Sequence, residues 1–149
     1  MSLRNLATSL LFFAAVGCGD DQAPEEASAL LGRVRGENYR SWTRAPGYEA
    51  RRKADSPHAS EVDIYVNAVV REALAAGKAL DAWPEGAIIV KDGWDDGDLE
   101  LIAIMEKRKD GWFWAEYFDD TSKYSGKPSV CIDCHKSGAD SVRAFSLPR

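Results

Sequence analysis

The stretch from Leu99 to Phe118 reads LELIAIMEKRKDGWFWAEYF and predicts two β-strands joined by a tight turn. Apolar side chains occupy both faces of the first run, with Ile102 and Ile104 on one face and Leu101, Ala103 and Met105 on the other. Asp110-Gly111 is a dipeptide favoured in hairpin turns, and the second run is rich in aromatic residues, which favour strands. An antiparallel hairpin is therefore predicted here.

The segments before this hairpin extend the predicted sheet. Gly93 to Gly97 predicts a second hairpin turn, and Ala87 to Lys91 predicts a strand with Ala87, Ile89 and Lys91 on one face. Val62 to Asn67 alternates apolar and polar residues and predicts a half-buried strand. Asn67 then predicts the N-cap of a helix over Ala68 to Leu80. Two consecutive hairpins favour a mainly β, α+β fold, an antiparallel β-sheet meander with flanking short helices.

The other segments carry weaker patterns. A short helix is predicted around Glu37 to Thr43, and Tyr48 to Ser60 is predicted as a polar loop that contains His58. Asp119 to Val130 is predicted as a loop. The segment Ser137 to Arg149 is too short to form a second structural layer of the domain.

The N-terminus predicts export. A positively charged start, the apolar run Leu6 to Val16 and the small residues before Cys18 are typical of a bacterial lipoprotein signal peptide over residues 1–18, in which Cys18 becomes the lipidated N-terminus. An ordinary cleaved signal with a stray cysteine is the alternative. Residues 19–28 are polar and acidic and predict a tether, which leaves residues 29–149 as the domain. The expected location is the periplasm or cell envelope, with anchorage through Cys18.

The composition indicates one domain and gives no sign of a nucleic-acid or membrane-surface partner. The 149 residues are 45% hydrophobic, which is enough for one core. The net charge of −5 is mild and the basic residues are scattered, so nucleic acid or an anionic membrane surface is not an expected partner.

The motif Cys131-Ile132-Asp133-Cys134-His135 has the spacing of a c-type haem attachment site. In such sites both thiols bond to the haem vinyl groups and the histidine binds the iron. A disulfide or redox pair and a zinc site are the alternatives, but zinc requires four ligands, and after signal removal the chain offers only His58 and no other cysteine outside the motif. The sequence therefore predicts one covalently attached haem c.

The sixth position of the iron is expected to be open. No methionine or histidine follows His135, so a further protein ligand would have to be His58, Met105 or a lysine. Met105 lies in an apolar strand, where core packing is the commoner role, and His58 lies in a loop. An open position indicates binding of small ligands such as nitric oxide, or chemistry on the iron.

Six segments, taken in order, resemble the cytochrome P-460 family. They are Asn38 to Trp42, Val62 to Asn67, Pro84 to Lys91, Met105 to Lys107, Trp112 to Trp114 and Cys131 to Lys136. The resemblance covers about residues 37 to 142 and implies a mainly antiparallel β fold, usually a homodimer, that encloses one c-type haem with His135 as an axial ligand.

The resemblance also implies two possible activities. In members that oxidise hydroxylamine, a lysine at the position matching Lys91 is bonded to a haem meso carbon. Related members called cytochrome c′-beta lack this bond and bind nitric oxide in an apolar pocket. Because an ammonium has no lone pair, bonding of Lys91 requires loss of its proton, which burial favours. The alternative for Lys91 is a strand-end lysine that reaches water.

The chain departs from the hydroxylamine-oxidising pattern in one respect. Those members carry a carboxylate in the loop ahead of the haem motif, whereas Lys123 to Val130 contains no acid. Glu116, Asp119 and Asp120 are candidate replacements, and each is expected to be solvated. The aromatic run Trp112 to Phe118 is expected to form core rather than pocket.

These observations predict an exported mono-haem c-type cytochrome that acts on small nitrogen species, with hydroxylamine oxidation as the leading function. Cys131 and Cys134 are the predicted haem attachments, His135 the iron ligand and Lys91 the candidate cross-link. The alternatives are a nitric-oxide-binding protein without turnover and a simple electron carrier with His58 or Met105 as sixth ligand. Expected partners are the nitrogenous ligand or substrate, a redox protein, a second copy of the chain, and the membrane through the lipid anchor only.

Overall fold

The computed structural model of the protein describes residues 22–54 and 57–149. The predicted signal peptide over residues 1–18, with Cys18, lies outside the described residues. The helices are α1 (Pro24–Gly36), α2 (Ala68–Ala76) and α3 (Ser129–His135), with one 3₁₀ turn at Tyr39–Ser41. The strands are β1 (Thr43–Arg44), β2 (Arg52–Lys53), β3 (Glu61–Val66), β4 (Ile88–Asp95), β5 (Asp98–Arg108), β6 (Gly111–Phe118) and β7 (Thr121–Gly126).

The described strands form one antiparallel sheet in the order β1-β3-β4-β5-β6-β7, with β2 also paired to β3. The β4 to β7 part is a meander of consecutive hairpins, as the fold class predicted. The turn between β4 and β5 is shorter than predicted, because β4 continues to Asp95. No helix among the described residues is long and apolar enough to cross a membrane.

Both faces of the sheet are covered, which explains why β3 is buried on both sides and not half-buried as predicted. One face packs against α1 through a cluster that includes Tyr65 and Val90, and the other forms a second core cluster that includes Ile64 and Ile89. Asp63, a polar residue of the predicted alternation, is 2% exposed and pairs with two arginines, Arg44 at 2.5 Å and Arg51 at 3.2 Å. Pairing of this kind offsets the cost of burying a charge.

The helix α1 begins within the segment predicted as a tether. Residues Pro24 to Ser28 are helical, and the sequence places apolar side chains at the spacing of one helix face; Ala27, Leu30, Leu31 and Val34 are buried. Proline at the first position and two acidic residues in the first turn suit a helix start. The helix predicted around Glu37 to Thr43 is instead the 3₁₀ turn followed by β1.

The helix α2 begins as predicted, because the Asn67 side chain accepts a hydrogen bond from the Val70 amide at 3.2 Å. The same oxygen accepts from the Ile88 amide at 3.1 Å, so Asn67 also ties the helix to β4. The helix ends at Ala76 and not at Leu80, because Gly77 takes the left-handed conformation that terminates helices.

The strand β7 corrects the predicted loop over Asp119 to Val130. Asp119 and Asp120 both have positive φ, 44° and 61°, which is typical of the tight turn that joins hairpin strands. The chain then pairs with β6 from Phe118↔Thr121 to Trp114↔Gly126. Its first residues are polar and exposed because this strand lies at the sheet edge, and the apolar pattern that marks inner strands is therefore missing.

Gly93 in β4 allows the segment that carries His58 to lie directly against the sheet. A Cβ at this position would lie 2.1 Å from the His58 carbonyl oxygen and 2.8 Å from the Leu101 Cγ. Only a residue without a side chain fits this contact.

We expect Gly93→Ala to destabilise the protein by about 1–3 kcal/mol, because the clash with backbone forces the His58 segment away from β4. Gly32→Ala is the control: Gly32 lies in α1 with no atom within 4 Å of an added Cβ, and alanine there should gain up to about 1 kcal/mol. Urea denaturation of both variants measures the difference, and wild-type stability in Gly93→Ala would contradict the close approach.

Candidate functional site

One row of side chains crosses the sheet on the face opposite α1. The strand register pairs Ile64 with Lys91, Lys91 with Ala103, Ala103 with Glu116 and Glu116 with Tyr124. All five residues line the same cavity. The row therefore places one basic and one acidic group, two strands apart, in an otherwise apolar wall.

A second row, two residues further along each strand, lines the same cavity. It consists of Ile89, Met105 and Trp114, which are register partners. Trp114 therefore belongs to the cavity wall, while Trp112, Phe113 and Tyr117 of the same aromatic run are buried in the core clusters. Trp114 is also a member of the second core cluster and only 6% exposed, so the expectation that this run forms core is confirmed for Trp114 too, and Trp114 lines the cavity in addition.

The helix α3 faces these rows and carries the whole Cys131 to His135 motif. Residues three and four apart on a helix share one side, so Cys131, Cys134 and His135 are neighbours in space. All three line the cavity. Cys131 is half-buried beside the second core cluster, and the exposed Cys134 sulfur lies 3.3 Å from the Arg143 guanidinium.

The His135 ring is held in a defined orientation. It packs edge-to-face on Trp114, with 4.6 Å between ring centroids, and its Nδ1 lies 2.9 Å from the Ser141 carbonyl oxygen. A carbonyl only accepts, so Nδ1 carries the proton and Nε2 keeps its lone pair. Burial holds the pKa of His135 below its usual value, which also favours the neutral ring that a metal requires.

Asp140 anchors the loop that supplies the Ser141 carbonyl. Its carboxylate accepts from the Trp83 amide at 2.8 Å and from the Lys107 Nζ at 2.7 and 2.8 Å. The Asp140 carbonyl accepts from the Trp112 Nε1 at 2.7 Å. The position of Ser141, and through it the orientation of His135, therefore depends on this anchor.

Lys91 enters the cavity from β4, as the predicted strand faces required. Burial lowers the pKa of Lys91 because it disfavours the charged form, and the nearby Arg143 acts in the same direction. Glu116 opposes this shift. The structure thus gives Lys91 the buried environment that formation of a neutral amine requires, and not the solvated strand end of the alternative interpretation.

Glu116 corrects the expectation that each candidate acid is solvated. It is only 8% exposed, and its Oε2 lies 2.8 Å from the Nδ1 of His58. Asp119 and Asp120, in contrast, are exposed, and Asp120 pairs with Arg35, away from this cavity. Among the residues that the structure describes, the buried carboxylate that lines this cavity is therefore that of Glu116, which comes from β6 and not from the segment just ahead of the motif.

His58 is also part of the site, although its sequence context predicted only a polar loop. It lines the cavity beside Lys91 and His135. The centroids of the His58 and His135 rings are 6.2 Å apart. His58 was a candidate iron ligand on sequence grounds, but its side chain could not be placed, because the segment before β3 has no periodic pattern.

The shape and chemistry of the cavity suit a haem. A mainly apolar cavity of about 220 Å³ adjoins a second one of about 280 Å³, and both are lined by Lys91, Cys134 and His135. Arg52 and Lys53 line the second cavity, where they would face the carboxylates of a haem. The cysteine pair, the neutral histidine and the apolar side chains of the two rows therefore all match the group that the motif predicts.

Two further observations concern the alternatives to haem. Within the described residues, Cys131 and Cys134 are not joined by a disulfide. No three His, Cys, Asp or Glu side chains in that same part of the chain are grouped as a metal site requires.

Comparison with known proteins identifies a related family. The family model described as Cytochrome P460 matches residues 36–145, which is most of the chain and includes His58, Lys91, Glu116 and the Cys131 to His135 motif. No curated protein and no solved structure matches the chain.

We expect Asp140→Asn to destabilise the protein by about 1–3 kcal/mol, because it leaves the Lys107 ammonium, 15% exposed, without a counter-charge. Asparagine tolerates the left-handed backbone at this position, so the change removes the charge and one of the two acceptor oxygens without straining the backbone. The matched control is Asp133→Asn, which removes an ion pair whose partners are more than 70% exposed and should change stability by less than about 0.5 kcal/mol. Equal urea midpoints for the two variants would refute the anchor.

Proposed function

Because this chain belongs to the cytochrome P460 family, we propose that it is a mono-haem c-type cytochrome that oxidises hydroxylamine. The family consists of haem proteins that act on small nitrogen species. The observation that carries the finer proposal is the convergence of the Cys131 to His135 motif, Lys91 and Glu116 on one apolar cavity.

Cys131 and Cys134 attach the haem through thioether bonds, and His135 is its proximal ligand. Three features support these roles. The two thiols and the imidazole share one side of α3, the Ser141 carbonyl fixes the His135 tautomer with Nε2 available for the iron, and the cavity is lined mainly by apolar surface.

Lys91 is the group that forms the further bond to the haem edge. The bond requires a neutral amine, and the buried position of Lys91 favours that form. Because the bond would replace one N–H and one C–H, its formation would be a two-electron oxidation, in which a peroxide would take up the two electrons and the two protons and be reduced to water. Glu116 lies two strands away on the same row and is the carboxylate of the cavity nearest in register to Lys91.

The bound haem supplies the ligand site and the electron transfer. Oxidation of hydroxylamine also releases protons, so a proton acceptor within the cavity is required. Glu116 fills this role, because it is a buried carboxylate in the cavity wall and already interacts with a second titratable group, His58. It replaces the acid that Lys123 to Val130 lacks.

The surroundings of the protein follow from the same proposal. We propose that residues 1–18 are a lipoprotein signal, that Cys18 anchors the domain in the cell envelope, where c-type haem is attached, and that the electrons pass to a redox protein. A second copy of the chain completes the homodimer that the family resemblance implies.

Nitric oxide binding without turnover is the second candidate function, and the apolar character of the cavity favours it. Ile64, Ile89, Met105 and Trp114 are among the residues that make the cavity mainly apolar, and an apolar wall favours neutral diatomic ligands over polar ones. Tight binding of nitric oxide together with no oxidation of hydroxylamine by the holoprotein would select this function over the first.

Replacing both cysteines, Cys131→Ser with Cys134→Ser, is expected to abolish covalent haem attachment. The test is intact-mass spectrometry with haem staining, after expression with a haem-attachment system. The wild type should gain the mass of one haem and the double variant none. Full haem staining of the double variant after denaturation would refute the attachment site.

Lys91→Ala is expected to leave the haem attached but to remove any link between the tryptic peptide containing Lys91 and the haem peptide. The visible spectrum of the ferrous protein should return to that of an ordinary c-type haem, and hydroxylamine oxidation should be lost. Lys123→Ala is the matched control, because Lys123 also lines the cavity but is exposed. A wild-type spectrum and activity in Lys91→Ala would contradict the cross-link.

A further inference from the structure

Two histidines from distant parts of the chain meet in the cavity. His135 comes from α3, whereas His58 comes from the segment that precedes β3 and rests on Gly93. Their ring centroids are 6.2 Å apart and the ring planes are inclined by 76°. They are the two histidines of the chain, and the fold brings both to one place.

Each ring is held at its Nδ1 by a hydrogen-bond acceptor. Glu116 binds the Nδ1 of His58 at 2.8 Å, and the Ser141 carbonyl binds the Nδ1 of His135 at 2.9 Å. Metal-binding histidines are oriented in this manner, with a carboxylate or carbonyl on one nitrogen and the metal on the other. His58 therefore has the same support as the histidine of the motif.

The distance between the two ring centroids distinguishes direct binding of both histidines to one iron from an arrangement in which another molecule lies between the iron and His58. An iron bound by Nε2 of both rings places their centroids about 6 Å apart, from about 2 Å for each iron–nitrogen bond and about 1 Å from each nitrogen to its ring centre. A water molecule between the iron and the second histidine would widen the separation to about 9 Å, because an iron–oxygen bond of about 2 Å and a hydrogen bond of about 2.8 Å then replace one direct iron–nitrogen bond. The observed 6.2 Å matches the first arrangement.

We propose that His58, positioned by Glu116, is the second axial ligand of the haem iron in the resting protein, and that small ligands bind by displacing it. The proposal replaces the open sixth position expected from the sequence. Met105, the other neutral candidate, packs in the second core cluster and has no comparable supporting contact in the described structure. The inference requires a haem on His135 but does not depend on hydroxylamine turnover.

The test is the spin state of the ferric holoprotein. We expect a low-spin iron in the wild type, with a near-infrared magnetic circular dichroism band typical of two histidine ligands. His58→Ala should lose the low-spin signal completely, and added imidazole should restore it. Met105→Leu should keep the wild-type spectrum.

Glu116→Gln tests the positioning role separately. It keeps the shape of the side chain but removes the charge that binds the His58 Nδ1, so a fraction of the iron should become high-spin while haem content by mass is unchanged. Imidazole should bind the ferric His58→Ala protein at least about tenfold more tightly than the wild type, because no internal ligand competes.

Two outcomes would overturn the proposal: a high-spin ferric wild type, or a low-spin iron that persists in His58→Ala. The wild-type spectrum assigns the ligand pair even if the variant does not fold. Absence of haem from the wild-type protein would instead be a failure of the attachment site, which intact mass reports separately, and absence of hydroxylamine turnover would leave the spin-state result intact.

Discussion

The burial of charged groups in one apolar face of the sheet is the constraint on which the site depends. A charge removed from water costs several kcal/mol unless a partner offsets it, so each buried ionisable group in this wall must be paired or become neutral. Glu116 meets this demand through His58, and Lys91 meets it through a lowered pKa. The reactive character of the site is therefore a result of its packing.

The same logic extends to the support of the two imidazoles. His135 is oriented by a backbone carbonyl whose loop is held by the Asp140 carboxylate, and His58 is oriented by a carboxylate on β6. An imidazole that donates its N–H to a backbone carbonyl gains little basicity at its other nitrogen. An imidazole that donates to a carboxylate becomes a more basic, stronger electron donor. The two faces of a bound haem would thus experience histidines of unequal basicity, set by residues that do not touch the iron.

Buried segments of the fold could be predicted from the sequence more accurately than exposed ones. The β4 to β6 meander was predicted well, because inner strands must carry apolar side chains on both faces. The edge strand β7 and the helix α1 were missed, since the first is polar and the second starts in an acidic segment. The prediction that Glu116 is solvated is wrong. The two predicted hairpins already implied that Glu116 lies on the same sheet face as Ala103 and Lys91. His58 could not be placed, because its segment has no periodicity.

If His58 binds the iron as proposed, both candidate functions require the incoming ligand to displace it. A histidine that is fixed only by its own segment exchanges readily, whereas one that is also bound by a buried carboxylate must break that contact or move Glu116 with it. Gly93 adds a second restraint, because it holds the His58 backbone against β4. Ligand entry would therefore be coupled to the packing of this segment on the sheet, and a ligand that binds the iron strongly would displace His58 at the cost of order in the segment that carries it.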